Sequence, residues 1–186
     1  MRLLILYPKT LLLLMTLVLG SHAITAAQAV TLNFSAFLTL GTCTFSLDKS
    51  TLKLGTISLR ELQPSTIVAA QPFTLHVQDC TGTDASLTPV VNISGEGILQ
   101  DGRWLFRSSD SVATGMGVML VKTTVPPAYS ATEVRNGDDI TLAAMGNDPV
   151  NQDMTFYAGA TCGNTSCTTL QTGSLTARVL FNLAYR

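Results

Sequence analysis

The chain has 186 residues, of which 46% are hydrophobic and 12% are charged. This length suits one ordinary domain and the apolar content is sufficient for a buried core, so the composition excludes a disordered chain. The formal net charge is −1 and the lysines and arginines form no cluster, which excludes nucleic acid as a partner.

The N-terminal segment has the pattern of a secretory signal peptide. Basic residues precede an apolar run at positions 11–19, which is too short to span a bilayer and is followed by small residues. The small-residue rule allows cleavage after Ala29 or after Ala23, and we prefer the first because it fits the A-x-A pattern. Residues 1–29 are therefore predicted to be removed on export. The sequence contains no second long apolar run, so a membrane anchor is not expected.

Residues 30–40 carry an apolar side chain at every even position, a period of two. This period predicts a β-strand with one apolar face. The remaining residues, 41–186, are predicted to form the domain itself. The apolar face of the N-terminal strand consists of Val30, Leu32, Phe34, Ala36 and Leu38.

Four cysteines, Cys43, Cys80, Cys162 and Cys167, follow the signal peptide. They can pair in three ways, and export to an oxidising compartment makes disulfides their expected state. Local pairing of the last two would leave the first two to pair with each other. A zinc site is the rival interpretation, but the cysteines lack metal-ligand spacing and His76 is the only histidine beyond the signal peptide.

The middle of the chain contains short alternating or apolar runs that are separated by turn residues. Strands are predicted at residues 73–77, 87–93 and 116–121, with turns such as 101–102 and 136–139 between them. No helical period interrupts this pattern. The sequence therefore predicts an all-β sandwich.

The last fourteen residues, 173–186, carry the clearest β pattern. A period of two predicts a strand with one buried face. Since no later residue of the sequence is left to cover this strand, we expect its far edge to stay open for pairing with another chain. The apolar side chains at the odd positions are Leu175, Ala177, Val179, Phe181, Leu183 and Tyr185.

In these features the chain resembles subunits of chaperone–usher fimbriae, the type 1 pilin family, over essentially its whole length after the signal peptide. The matching motifs are Gly173 at the fourteenth place from the C-terminus, the penultimate Tyr185, and Cys43 shortly after the N-terminal strand. The second cysteine lies within a matching F-x-Φ-x-Φ-x-x-C motif at residues 73–80. The resemblance is to a minor fimbrial subunit.

The resemblance implies a six-stranded, immunoglobulin-like Greek-key sandwich that lacks its seventh strand. A periplasmic pilus chaperone is expected to donate a strand to the resulting groove, and the N-terminal extension of a neighbouring fimbrial subunit then replaces it at the outer-membrane usher. The protein would reach the cell surface in a fimbrium that supports adhesion. The implied groove edge and chaperone contact consist of Gly173, Leu175, Ala177, Val179, Phe181, Leu183, Tyr185 and Arg186.

Two features depart from the family pattern. Ala36 occupies the place where donor strands of the family usually have glycine, so its extra methyl group predicts pairing with a particular neighbour. Most of the family also lacks cysteines at the positions of Cys162 and Cys167. We interpret this pair as a structural staple rather than a redox switch, since a reactive pair is usually C-x-x-C at a helix N-terminus.

Three other functions compete with a structural role. An enzyme is not expected, because His76 lies on the polar face of its predicted strand and the carboxylates occur singly or in turns; no cofactor is expected either. A tip adhesin that binds a host glycan or receptor could use Trp104 to stack on sugar, but packing into the core beside a turn at residues 101–102 is favoured. A fibre-terminating subunit, whose groove keeps its chaperone, is the third alternative.

Overall fold

The computed structural model describes residues 40–165 and 167–186. The predicted signal peptide and the predicted donor residues 30–38 lie outside the described residues. The described part consists of strands, turns and extended segments, and within it no helix is long and apolar enough to cross a membrane.

Nine strands occur in the described residues, and every pairing between them is antiparallel. One sheet has six strands in the order β1-β2-β8-β6-β5-β4, and the other has three in the order β7-β3-β9. The strands are β1 (Thr42–Leu47), β2 (Val68–Thr81), β3 (Pro89–Ser94), β4 (Gly97–Gln100), β5 (Arg103–Phe106), β6 (Gly117–Lys122), β7 (Asp139–Thr141), β8 (Gln152–Thr161) and β9 (Leu180–Tyr185).

One hydrophobic core joins the two sheets, because alternate side chains of both point into it. Along β2, Phe73, Leu75 and Val77 are buried while the residues between them are more exposed. Val91 and Ile93 contribute fully buried side chains from the smaller sheet. The predicted all-β sandwich is therefore confirmed.

The structure divides the chain more finely than the sequence predicted. The nine strands exceed the six that were expected because the count includes short strands of three or four residues, β4, β5 and β7. The strand predicted over residues 175–185 forms a ladder only at 180–185, where it pairs with β3. Residues 174–179 are extended but join neither sheet.

Candidate strand-acceptor groove

An open groove of about 1080 Å³ runs between two segments of the chain, residues 47–59 and residues 172–181. In the described part of the chain, no backbone hydrogen bond joins one segment to the other. The groove therefore lies where a strand between them would complete the sandwich. Its floor is formed by core side chains of the larger sheet and its neighbouring loop, namely Phe73, Phe106, Met116, Val118, Leu120 and Ala158.

Both walls of the groove present apolar side chains at every second position. Leu52 and Leu54 are half-buried on one wall and pack against the core. The other wall uses the odd positions of the C-terminal segment, where Phe181 packs with its ring centroid 6.1 Å from Phe73 and 5.4 Å from Phe156. Leu175, Ala177 and Val179 continue this wall.

The backbone of residues 174–179 is paired on one side only. Ser108 donates its N–H to the carbonyl of Thr176 at 2.8 Å, and Thr176 donates its own N–H to Ser111 Oγ at 3.0 Å. In an extended chain, successive residues direct their N–H and C=O groups to opposite sides. The groups of the odd-numbered residues therefore face the groove, and among the described residues the N–H groups of Leu175, Ala177 and Val179 have no hydrogen-bond partner.

Gly173 begins this wall at a point where the backbone crosses the loop at residues 112–113. Its φ is +155°, and a Cβ atom there would lie 2.7 Å from the backbone nitrogen of Ala113 and 2.8 Å from Cγ1 of Val112. A side chain would push the segment away from this loop. The close approach explains why a glycine occupies the first position of the C-terminal segment.

The end of the C-terminal segment is fixed to the neighbouring strands. Arg186 exchanges backbone hydrogen bonds with Thr88 at 2.8 and 3.0 Å, and its Nε lies 2.8 Å from Asp139 Oδ2. The side-chain hydrogen bond from Asn92 and then that from Arg186 lower the pKa of Asp139. β9 occupies an outer position in the three-stranded sheet, so its second edge borders no strand of that sheet.

The charged side chains that line the groove are all cationic: Lys49, Lys53 and Arg178. Lys49 donates a hydrogen bond to the carbonyl of Pro72 at 2.8 Å. Arg178 forms a bidentate ion pair with Asp110 at 3.0 and 2.7 Å, which lowers the pKa of this carboxyl. Lys53 is exposed and has no ionic or hydrogen-bond partner among the described residues.

Two disulfides stabilise the surroundings of the groove. The bond between Cys43 and Cys80 links β1 to β2, and the bond between Cys162 and Cys167 closes a short loop after β8. Cys162 is fully buried and packs in a small apolar cluster with Met116, which lines the groove. The second disulfide therefore lies beneath one end of the groove.

Asp101 holds the short disulfide loop against the β4–β5 turn. Its carboxylate accepts hydrogen bonds from the backbone N–H groups of Asn164 and Thr165 at 2.8 and 3.1 Å. The hydroxyl of Thr165 donates a further bond at 2.7 Å. These contacts, led by the one from the hydroxyl, lower the pKa of Asp101.

Sequence reasoning missed a buried carboxylate outside the groove, Glu133, whose side chain is 2% exposed. It pairs with Arg103 and with Arg135, whose Nε lies 2.9 Å from Oε1. Burial opposes the ionisation of Glu133 and would raise its pKa. The hydrogen bonds that its carboxylate accepts from Arg103, from the backbone and from Arg135 outweigh burial, so the pKa of Glu133 is lowered. The only signal in the sequence was a Glu beside one apolar residue, Val134, in a loop, which is too common to indicate burial.

The other side chains singled out in the sequence have structural surroundings. Trp104 is half-buried, packs against the core and meets Phe106 edge-on at 6.1 Å, which gives no support to sugar stacking. His76 Nδ1 lies 2.7 Å from Asp153 Oδ1 on the outer face of the sheet. No group of three or more potential metal ligands occurs in residues 40–165 and 167–186.

Comparisons with known proteins give one family. The family model described as "Fimbrial protein" matches residues 30–186. The crystal structure of the P pilus rod subunit PapA is similar with a TM-score of 0.47 and 15% identity, covering 85% of this chain and 100% of that chain. A chaperone–usher pilus whose structure explains rod uncoiling is similar with a TM-score of 0.46 and 14% identity, covering 87% and 97%. No curated protein sequence matches the chain.

Proposed function

The chain belongs to the fimbrial protein family, and from this premise we propose that it is a fimbrial subunit assembled by strand donation in the chaperone–usher pathway. The family match confirms the resemblance that the sequence motifs predicted. As a member of this family the chain is a structural protein of a surface pilus that associates with other fimbrial subunits, not an enzyme.

The observation that carries the proposal is the unpaired backbone edge along the groove. Leu175, Ala177 and Val179 direct their N–H groups into a space that is lined by apolar side chains and is as long as a strand. An added strand gains main-chain hydrogen bonds along such an edge, and its alternate side chains enter the apolar floor. Each large apolar side chain that becomes fully buried contributes about 1.5–3 kcal/mol.

The donor that this chain would offer to a neighbouring subunit is residues 30–40, of which all but Leu40 lie outside the described residues. The five predicted inward side chains, from Val30 to Leu38, are spaced two residues apart and match the period that a groove of this kind requires. Ala36, in place of the usual glycine, would restrict donation to a neighbour whose groove accommodates the extra methyl group.

We propose the following route to the surface. Residues 1–29 direct export and are removed, a periplasmic pilus chaperone fills the groove and contacts the segment 173–186, and exchange takes place at the outer-membrane usher. The fibre then supports cell adhesion. Both disulfides would form in the periplasm before assembly.

The first experiment is expression in the periplasm with and without a co-expressed fimbrial chaperone. The intact chain should be recovered only as a one-to-one chaperone complex, and a chain truncated before Gly173 should be degraded. Recovery of the intact chain alone as a stable monomer would contradict an open groove.

A second experiment keeps the proposal testable if the truncated chain simply fails to fold. A second copy of residues 30–40 is appended after Arg186 through a short flexible linker, which gives it a high effective concentration at the groove. This chain should be a soluble monomer without a chaperone. The matched control carries Phe34→Asp and Leu38→Asp in the appended copy and should behave like the chain without it.

A further inference from the structure

We propose that the groove prefers a donor segment with carboxylates on its outward face, a preference that favours a different subunit over a second copy of this chain as its occupant. This inference rests on the proposed function, since it specifies the partner of the same groove. The charges along the groove carry the argument.

The charged side chains that line the groove share one sign, although two of them have a carboxylate neighbour outside the lining. Of the residues that line it, three carry a positive charge, and none is an aspartate or a glutamate. This asymmetry does not follow from composition, because the whole chain has 12 acidic residues and 11 basic ones. A cleft whose charges share one sign attracts ligands of the opposite sign.

The three cations are not equally available. Arg178 is already paired with Asp110, and Lys49 lies 3.8 Å from Asp48. Lys53 follows Leu52 on the groove wall, but its own side chain is exposed and unpaired in the part of the chain that the structure describes. It is therefore the cation best placed to meet a charge on an inserted strand.

The N-terminal segment of this chain cannot supply that charge. Residues 30–40, Val-Thr-Leu-Asn-Phe-Ser-Ala-Phe-Leu-Thr-Leu, contain no ionisable side chain. When the even positions enter the groove, the outward positions Thr31, Asn33, Ser35 and Phe37 are all uncharged. A second copy would satisfy the apolar floor but leave Lys53 unpaired.

A complementary charge on the inserted strand should change the association rate more than the equilibrium affinity. An exposed ion pair is worth little at equilibrium, so one carboxylate should tighten binding about two- to five-fold. Charge complementarity also raises the association rate, and screening by salt removes this gain. A preference of this origin therefore has a recognisable dependence on ionic strength.

The test compares three peptides on the full chain isolated from the periplasm, together with any chaperone that copurifies. The first peptide has the sequence of residues 30–40. The second carries Asn33→Asp and Ser35→Asp, and the third carries Asn33→Lys and Ser35→Lys. Fluorescence anisotropy of labelled peptides gives the rate of entry and the affinity at low and high salt.

The acidic peptide should enter faster and bind more tightly than the neutral one at low salt, and the basic peptide should be the slowest. The advantage should shrink in Lys53→Gln and persist in Lys122→Gln, a matched control because Lys122 is exposed at the end of β6 and does not line the groove. At high salt the three peptides should have similar rates of entry and similar affinities.

The failure of this inference differs from the failure of the proposed function. If all three peptides enter with equal rates and affinities at low salt, or if Lys122→Gln removes the advantage as effectively as Lys53→Gln, the charge preference is wrong and strand donation stands. If no peptide enters under any condition, strand donation itself is wrong.

Discussion

The carboxylate of Glu133 is nearly inaccessible to water, yet its surroundings favour the charged form. Two guanidinium groups, from Arg103 and Arg135, and the backbone N–H of Trp104 contact its oxygens. Arg103 also lies over the ring of Tyr129, with 5.5 Å between its guanidinium carbon and the ring centroid. The network joins β5 to the loop at residues 129–135, on a part of the molecule that does not line the groove.

Substitution of Glu133 by Gln should lower the free energy of unfolding by about 1–3 kcal/mol at neutral pH, because both arginines lose their charged partner. The folded-state pKa of Glu133 is lowered, so its contribution is complete above the unfolded pKa of about 4.3 and is lost as the pH falls through the folded value. Urea unfolding at several pH values should show the difference from the original chain narrowing below about pH 4. Glu61→Gln, at an exposed position, is the control, and a difference independent of pH would contradict the assignment.

Gly173 is required where the groove wall begins. Gly173→Ala should cost about 1–3 kcal/mol, because φ is positive and the added Cβ meets the backbone of Ala113. Gly102→Ala is the matched control, since Gly102 has φ +79° but open space around its Cβ position. Urea unfolding should show the larger loss for Gly173; equal losses would mean that the contact with Ala113 does not matter.

At the scale of elements, the C-terminal segment has two halves with different partners. Residues 180–185 form β9 and pair with β3. Residues 174–179 are held through their even-numbered members by the loop at 108–113, and their odd-numbered backbone groups face the groove. The same apolar alternation therefore runs through residues 180–185, which are paired with a strand, and residues 174–179, whose groove side is unpaired.

Hydrogen exchange should distinguish these two sides residue by residue. In the open chain, the amides of Leu175, Ala177 and Val179 should exchange rapidly, whereas the amide of Thr176, which donates to Ser111 Oγ, should be slower. Addition of a donor peptide should slow the three odd-numbered amides. Equal protection of all four before any peptide is added would show that the edge is already paired.

The sequence predicted elements whose pattern is set by burial and missed those set by tertiary contacts. The alternation at 73–77 lies within β2, where Leu75 and Val77 are buried, and the turn at residues 101–102 joins β4 to β5. The extent of the last ladder could not be predicted, because 174–179 and 180–185 share one apolar period and differ only in what lies beside them. The positive charge along the groove could not be predicted from the sequence either, because residues 49–53 and 178 come to line one groove only in the folded chain.

At the scale of the whole molecule, the two disulfides restrict the unfolded chain to very different degrees. Cys43 and Cys80 are 37 residues apart, whereas Cys162 and Cys167 are 5 apart. The entropy that a cross-link removes from the unfolded state grows with the length of the ring it closes. The long bridge also fixes β1, from which the chain continues directly into the groove wall that contains Leu52 and Leu54.

Removal of the long bridge should therefore destabilise the molecule more than removal of the short one. Paired Cys→Ala substitutions should lower the free energy of unfolding by about 4 kcal/mol for Cys43 and Cys80 and by about 2 kcal/mol for Cys162 and Cys167. Urea unfolding of both variants beside the original chain, with all samples kept oxidised, measures the two losses. A larger loss for the short bridge would mean that packing of Cys162 beneath the groove outweighs ring length, and would place the critical constraint at the groove itself.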